Sequence, residues 1–202
     1  MPSEPFTLLS LMGKRREEFP KSSWVVVSID AQEEYRSGTL ALPGIAAAIA
    51  EGVKVLDLAR AENIPIIHVV HKGAPQGRTF AYGSPYFNLV TEFSLHINEP
   101  IVEKTLPNSF AGTNLLEMIR ATGRTHLILL GFMTHMCVST TARAALDYGL
   151  FSTIVGDACA TRDLVSSCGY VHSAQVIHEV ALTELADRFA FVVPNAEALW
   201  TL

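Results

Sequence analysis

Three residues at the ends of apolar runs carry side chains that could do covalent chemistry together: Asp30, Lys104 and Cys137. Cys137 lies in GFMTHMCVSTTARAALDYG, residues 131–149, where a strand-like run gives way to a helical pattern. A free cysteine ordinarily packs as a small hydrophobe. At a helix start, however, orphan backbone N–H groups and the positive dipole end favour the thiolate and lower the thiol pKa from about 8.5. The same donors suit a developing oxyanion. Asp30 closes WVVVSID, and a charge directly after an apolar run is costly unless it is paired. Standing alone it reads as a carboxylate capping a turn. Lys104, at the end of IVEK, supplies a cation, although a single lysine is ordinarily solvated. Brought together, the three would serve acyl transfer, with a nucleophile, a base and a countercharge.

Those residues can meet only if the segments before them end at a common edge, and the periodicity provides one. WVVVSID (24–30), PIIHVVH (65–71), THLILLGFM (125–133), STIVGDAC (152–159) and AFVVP (190–194) read as strands, with PIVEKT (100–105) as a short extended piece. Between them, residues 44–63, 113–123 with Thr113 as N-cap, the segment holding Cys137, and 173–189 with Ser173 as N-cap repeat apolar residues at helical spacing. This alternation predicts an α/β fold: a three-layer α/β/α sandwich whose mostly parallel sheet has about six strands, in one domain over residues 1–202 with an N-terminal arm over 1–22. In open parallel sheets ligands gather at the carboxyl ends of the strands, where all three residues fall. Residues 72–99 lose periodicity, and a loop that long in a compact domain is usually functional or carries short helical turns.

VSIDAQEEY, VEKTLPNSFAGTNL and LLGFMTHMCVSTTARAALDYG, in this order and spacing, resemble the isochorismatase-like cysteine hydrolase superfamily, and the likeness runs from about Trp24 to Pro194. The resemblance implies a Rossmann-like fold and a catalytic triad of Asp30, Lys104 and Cys137. It also implies a cis peptide at Phe132–Met133, with the N–H groups of Met133 and Cys137 as the oxyanion hole. The implied reaction is hydrolysis of a C–N bond in a small amide, carbamoyl or ureide-like compound through a thioester. Two alternatives stay open. One is vinyl-ether hydrolysis of the isochorismatase type with Asp30 as acid; the other is a non-catalytic oligomer on the same scaffold. Nicotinamidases of this family hold a metal through histidines in the loop after the first strand, whereas AQEEYRSGTLALPG (31–44) contains none. His68 and His71, read as sharing one face of their strand, lack a third ligand, so no metal and no cofactor are expected.

Around the triad, Gln32, Tyr35, Tyr82, Phe110 and Thr134 are candidates to bind substrate, and His135 to hold the nucleophile's turn. The aromatics of 72–99 and their few cations, such as Arg78, suggest a small, flat, largely neutral substrate. A net charge of -5 without a basic stripe argues against nucleic acid as a partner. The N-terminal apolar patch is too short for a membrane span. Three sparse cysteines without CxxC spacing point to a reducing, cytoplasmic setting. The apolar arm and a mean hydropathy of +0.28 suggest a homo-oligomer, dimer or tetramer.

Overall fold

A computed structural model describes residues 5–201, so residues 1–4 of the expected arm lie outside the described residues. In chain order the elements are α1 (Leu8–Leu11), β1 (Trp24–Ile29), α2 (Glu34–Ser37), α3 (Ile45–Ala61), β2 (Ile66–His71), β3 (Ile101–Lys104), α4 (Leu115–Ala121) and β4 (His126–Phe132). There follow α5 (Ser139–Asp147), β5 (Phe151–Ala160), β6 (Leu164–Val165), β7 (Val171–His172), α6 (Ala174–Arg188), β8 (Phe191–Val193) and α7 (Ala196–Trp200). Six strands form one sheet in the order β3-β2-β1-β4-β5-β8. Every neighbouring pair in it is parallel.

Strand periodicity sorts the sheet's side chains into two cores. Val26, Ile128 and Leu130 pack with Ile49, Leu56 and Leu199 from α3 and α7. Their neighbours Val27, Leu127 and Leu129 pack on the other face with Ile119, Ala142 and Leu185 from α4, α5 and α6. Burying each such leucine or isoleucine stabilises the fold by about 2 kcal/mol, and a strand buried on both faces must read as a continuous apolar run. That is the pattern of WVVVSI and HLILLGF.

The chain leaves β1 towards β2 and β3 on one side, and β4 leads to β5 and β8 on the other, so the order reverses between β1 and β4. The crevice at such a switch point is where ligands bind. Gly131 makes the two strands close tightly there. It lies opposite Ile29 with φ +119, and a Cβ on it would stand 2.0 Å from the Ile29 carbonyl oxygen.

The 72–99 loop is fastened down. It carries short 3-10 turns at Pro85–Phe87 and Thr91–Phe93, and Phe93 is buried against Gly52 of α3, where a Cβ would meet its ring at 2.4 Å. The described part of the arm packs on the body. Arg16 donates to the carbonyls of Leu199 and Ala198 at 3.0 and 3.1 Å, and Phe19 stacks on His126 with centroids 4.5 Å apart. Four short pieces escaped the sequence reading: α1, α2, α7 and the antiparallel β6–β7 hairpin. At two to five residues each they are below the length at which periodicity speaks. The expected cap of α4 also differs. Asn114 holds the cap position, and the Thr113 hydroxyl accepts from Leu115 N at 3.3 Å while donating to Ser109 O at 2.6 Å.

Candidate active site

β1 ends at Ile29, and Asp30 then turns through left-handed backbone (φ 51) with its N–H donated to Val69 O at 2.8 Å. Aspartate tolerates this region better than most residues do. Along β3 the burial alternates, so Lys104 shares the inward side with Val102. Its ammonium reaches Asp30 Oδ2 at 2.7 Å, Cys137 Sγ at 3.4 Å and His71 Nδ1 at 3.3 Å. An ammonium has three donors, and these contacts use all of them. Asp30 and Lys104 are buried to 0% and 2% exposure and Cys137 to 4%. Asp30 Oδ1 has no hydrogen-bond partner among the described residues, and the Cys137 thiol lies beside the carboxylate.

Cys137 does not open an α-helix. It sits within a π-helical turn, Thr134–Val138, that precedes α5, and the expected lowering of its pKa gives way to the opposite. Burial, then the Asp30 charge, push the thiol up to about 12 against the pull of Lys104. Desolvation outweighs the helix-terminus effect, which amounts to about 1 kcal/mol. The Asp30 carboxyl is likewise raised by burial, with Lys104 opposing. Both groups therefore favour the proton, and the ammonium keeps either arrangement neutral overall: carboxylate with thiol, or carboxylic acid with thiolate. Moving one proton between them creates no net buried charge.

The turn is braced from behind. Thr134 Oγ1 bonds His178 Nδ1 of α6 at 2.9 Å, the His135 ring bonds the Thr161 hydroxyl, and Met133 O accepts from the N–H groups of Met136 and Val138. The Phe132–Met133 peptide is cis. A cleft of about 470 Å3 opens beside the braces, lined by Pro43, Gly44, Cys159, Thr161, Gln175 and His178.

Of the residues expected to bind substrate, Tyr35 lies within electrostatic reach of Asp30 and Cys137. Buried against the edges of Phe80 and Phe132, it has a phenol raised by burial and then by the charges of Asp30 and Cys137. Phe110 is buried in the same core cluster as Cys137 and packs on Tyr148. Thr134 is spent on His178. Gln32 is buried, and its amide donates to His71 O and Phe87 O at 3.0 and 2.8 Å while accepting from His71 N at 2.7 Å. With these three bonds it ties the long loop to β2. Tyr82 is 45% exposed beneath the Lys72 ammonium, which stands 4.0 Å from its ring centroid and pairs with Glu103.

His68 and His71 do not share a face, because a separation of three along a strand places them on opposite sides. His68 is buried against Glu99, which Arg60 holds in an ion pair at 2.8 Å. His71 joins the triad instead, a contact that counting strand parity would have suggested. Burial and the nearby Lys104 push its pKa down to about 4. As a neutral ring accepting from Lys104 at Nδ1, it carries its proton on Nε2. Among the described residues no cluster of three or more His, Cys, Asp or Glu is arranged to hold a metal.

A parallel α/β sheet with an enclosed carboxylate, ammonium and thiol at its switch point describes a class of small-molecule hydrolase. The comparisons narrow it: residues 24–197 match the isochorismatase domain model, and the chain belongs to the isochorismatase family of hydrolases. The crystal structure of an isochorismatase from Pseudomonas putida KT2440 superposes with a TM-score of 0.89 at 40% identity, over 96% of this chain and 98% of that one. A secreted isochorismatase effector, Isc1, of Verticillium dahliae is 37% identical over 93% of this chain and 96% of its own length. A ureidoacrylate amidohydrolase, RutB, of Caulobacter segnis is 29% identical over 96% and 95%.

Proposed function

We propose that this protein is a cysteine hydrolase that cleaves a C–N bond in a small amide, carbamoyl or ureide-like substrate. The observation that carries the reading is the Lys104 ammonium set between Asp30 Oδ2 and Cys137 Sγ, with all three groups buried. Asp30, its pKa raised by burial, takes the thiol proton on its unpartnered Oδ1. The thiolate left beside Lys104 attacks the substrate carbonyl carbon. The N–H groups of Met133 and Cys137 receive the resulting oxyanion. Protonated Asp30 then donates to the departing nitrogen, since an amine cannot leave as an anion, and a thioester remains. The same carboxylate activates the water that hydrolyses it.

A vinyl-ether hydrolase would need only the acid, and the names carried by the Pseudomonas and Verticillium relatives favour testing it. Cys137, held by the ammonium and pointed at the shared carboxylate, would be idle in that reaction. The decisive experiment is a screen of amides, ureides and isochorismate that reads ammonia and pyruvate in parallel, with Cys137→Ala as control. Ammonia that disappears in the variant is the expected result. Pyruvate that persists in the variant, with no ammonia from any amide, would overturn the reading. No described helix is long and apolar enough to cross a membrane. Three free thiols, one of them nucleophilic in this reading, favour the reducing cytoplasm as the place of action.

A further inference from the structure

Glu34 and Tyr35 are consecutive residues of α2, and both are buried. The Tyr35 phenol feels the charges of Asp30 and Cys137, whereas the mechanism leaves Glu34 unused. Glu34 is 1% exposed, and no lysine, arginine or histidine among the described residues pairs with its carboxyl. Its partners are backbone donors: Oε1 accepts from Leu40 N at 3.0 Å and Oε2 from Phe80 N at 3.1 Å. Gly38 makes room for it, since a Cβ there would stand 2.6 Å from the carboxyl carbon. A buried carboxyl group without a cation is costly, so its retention calls for a task.

What it holds is Phe80. This residue has left-handed backbone (φ 49), a strained region for a bulky side chain that persists only where the surroundings enforce it. Here they do so from both sides. The Phe80 N–H goes to Glu34, and its carbonyl accepts from Gly73 N at 2.9 Å. Gly73 lets the chain pass this close, because a Cβ on it would lie 2.4 Å from Thr79 O. Arg78 O, two residues earlier, accepts from the Thr39 hydroxyl at 3.2 Å. So fastened, the Phe80 ring is 5% exposed, with its centroid 5.2 Å from that of Tyr35, edge to face, and 5.0 Å from that of His71. His71 in turn bonds the Lys104 ammonium. Phe80 thereby carries the 72–99 loop to the margin of the triad.

We propose that Glu34 is a positioning residue: it fixes Phe80 as a cover on His71 and Tyr35, and the covered His71 keeps the Lys104 ammonium turned towards Asp30 and Cys137. Under an aromatic cover the hydrogen bond between Lys104 and His71 lies in a low dielectric and is stronger than it would be in water. With the cover displaced, water competes for the ammonium and hydrates the thiol, whose raised pKa then falls. The consequence for turnover rests on the C–N hydrolase reading, while the consequence for the thiol does not.

The test follows Cys137 itself. Wild type, Glu34→Gln, Phe80→Ala and the double variant are alkylated with iodoacetamide near neutral pH, and labelling of Cys137 and Cys159 is timed by mass spectrometry of their peptides. Glutamine keeps the shape of glutamate but turns an NH2 group towards one of the two backbone donors. Each single variant should label Cys137 about fivefold faster or more, and the double variant no faster than the quicker single one, while Cys159 stays as slow as in wild type. For whichever of N-carbamoylglycine and nicotinamide releases ammonia, both single variants should lose about tenfold in kcat with KM changed by less than about threefold. Unchanged Cys137 labelling in Glu34→Gln, a double variant whose rate multiplies the two single effects, or an unchanged kcat overturns the proposal and leaves the hydrolase reading standing wherever ammonia is released. Faster labelling of Cys159 in Glu34→Gln assigns the carboxyl to the fold alone and also overturns it. Coupled labelling of Cys137 without ammonia from any amide keeps the role of Glu34 and overturns the C–N reading.

Discussion

At the scale of single residues, the two buried thiols differ in what they touch. Cys137 touches the Lys104 ammonium, whereas Cys159, also pushed up to about 12 by burial, packs in the apolar core and has the Gly131 backbone rather than a charged side chain as its polar neighbour. Cys137→Ala should fold normally and lose at least about a thousandfold in turnover, while Cys159→Ala keeps most activity. Substantial turnover in the first variant would remove the covalent mechanism. His71 is a positioning residue, the third acceptor that stops the ammonium from rotating away from the thiol. His71→Ala should lower kcat by about tenfold with KM little changed, and His71→Asn, whose side-chain oxygen can accept in place of Nδ1, should recover most of the loss. Equal kinetics for both variants would show that Lys104 needs no help.

At the scale of elements, the strand ends place the triad and the loops hold it in register. Gln32 links the segment after β1 to His71 and to the 72–99 loop through three bonds made by one buried amide. Gln32→Leu would leave His71 N–H and two carbonyls without their partner, at a cost of about 2–4 kcal/mol. We expect a lower urea midpoint and faster proteolytic nicking between residues 72 and 99. An unchanged midpoint together with unchanged nicking would mean that Phe93 on Gly52 suffices to seat the loop.

For the whole molecule, the arm and the strands it closes make folding sensitive to acid. His126 is fully buried, stacked on Phe19 and near Arg16, and its pKa is pushed down to about 3 by burial and then by that guanidinium. The folded state therefore refuses a proton that the unfolded chain accepts near pH 6.5, so this part of the stability is present above about pH 6.5 and is lost as pH falls towards 3. Between pH 7 and pH 5 the loss is about 2 kcal/mol. His126→Phe keeps the stack, and its denaturant midpoint should fall by less over that interval than the wild-type midpoint does. Parallel slopes for the two proteins would assign the acid sensitivity to other groups. Phe6, Leu11 and Met12 on the arm remain 60, 64 and 53% exposed, and we propose that they meet a second copy of the chain. Light scattering at micromolar concentration should give a dimer or tetramer, and a 22.0 kDa particle would refute this.

The order and kind of the sheet's strands and long helices were written in local pattern, because a strand buried on both faces must be apolar throughout and an amphipathic helix must repeat at its own period. That Asp30, Lys104 and Cys137 come together could be expected for a related reason: each ends or follows a run that leads to the same sheet edge. Distances and environments were not legible, since they depend on residues far apart in the chain. The thiol's pKa was set by how deeply the π-helical turn is enclosed rather than by its place at a helix start. Gln32 became a latch because the segment carrying Phe87 folds back across it, and His71 joined the triad because β3 lies beside β2. Sequence fixes which groups can do chemistry and which segments must be buried, while desolvation and pairing belong to the packed structure, where contact is decided in three dimensions.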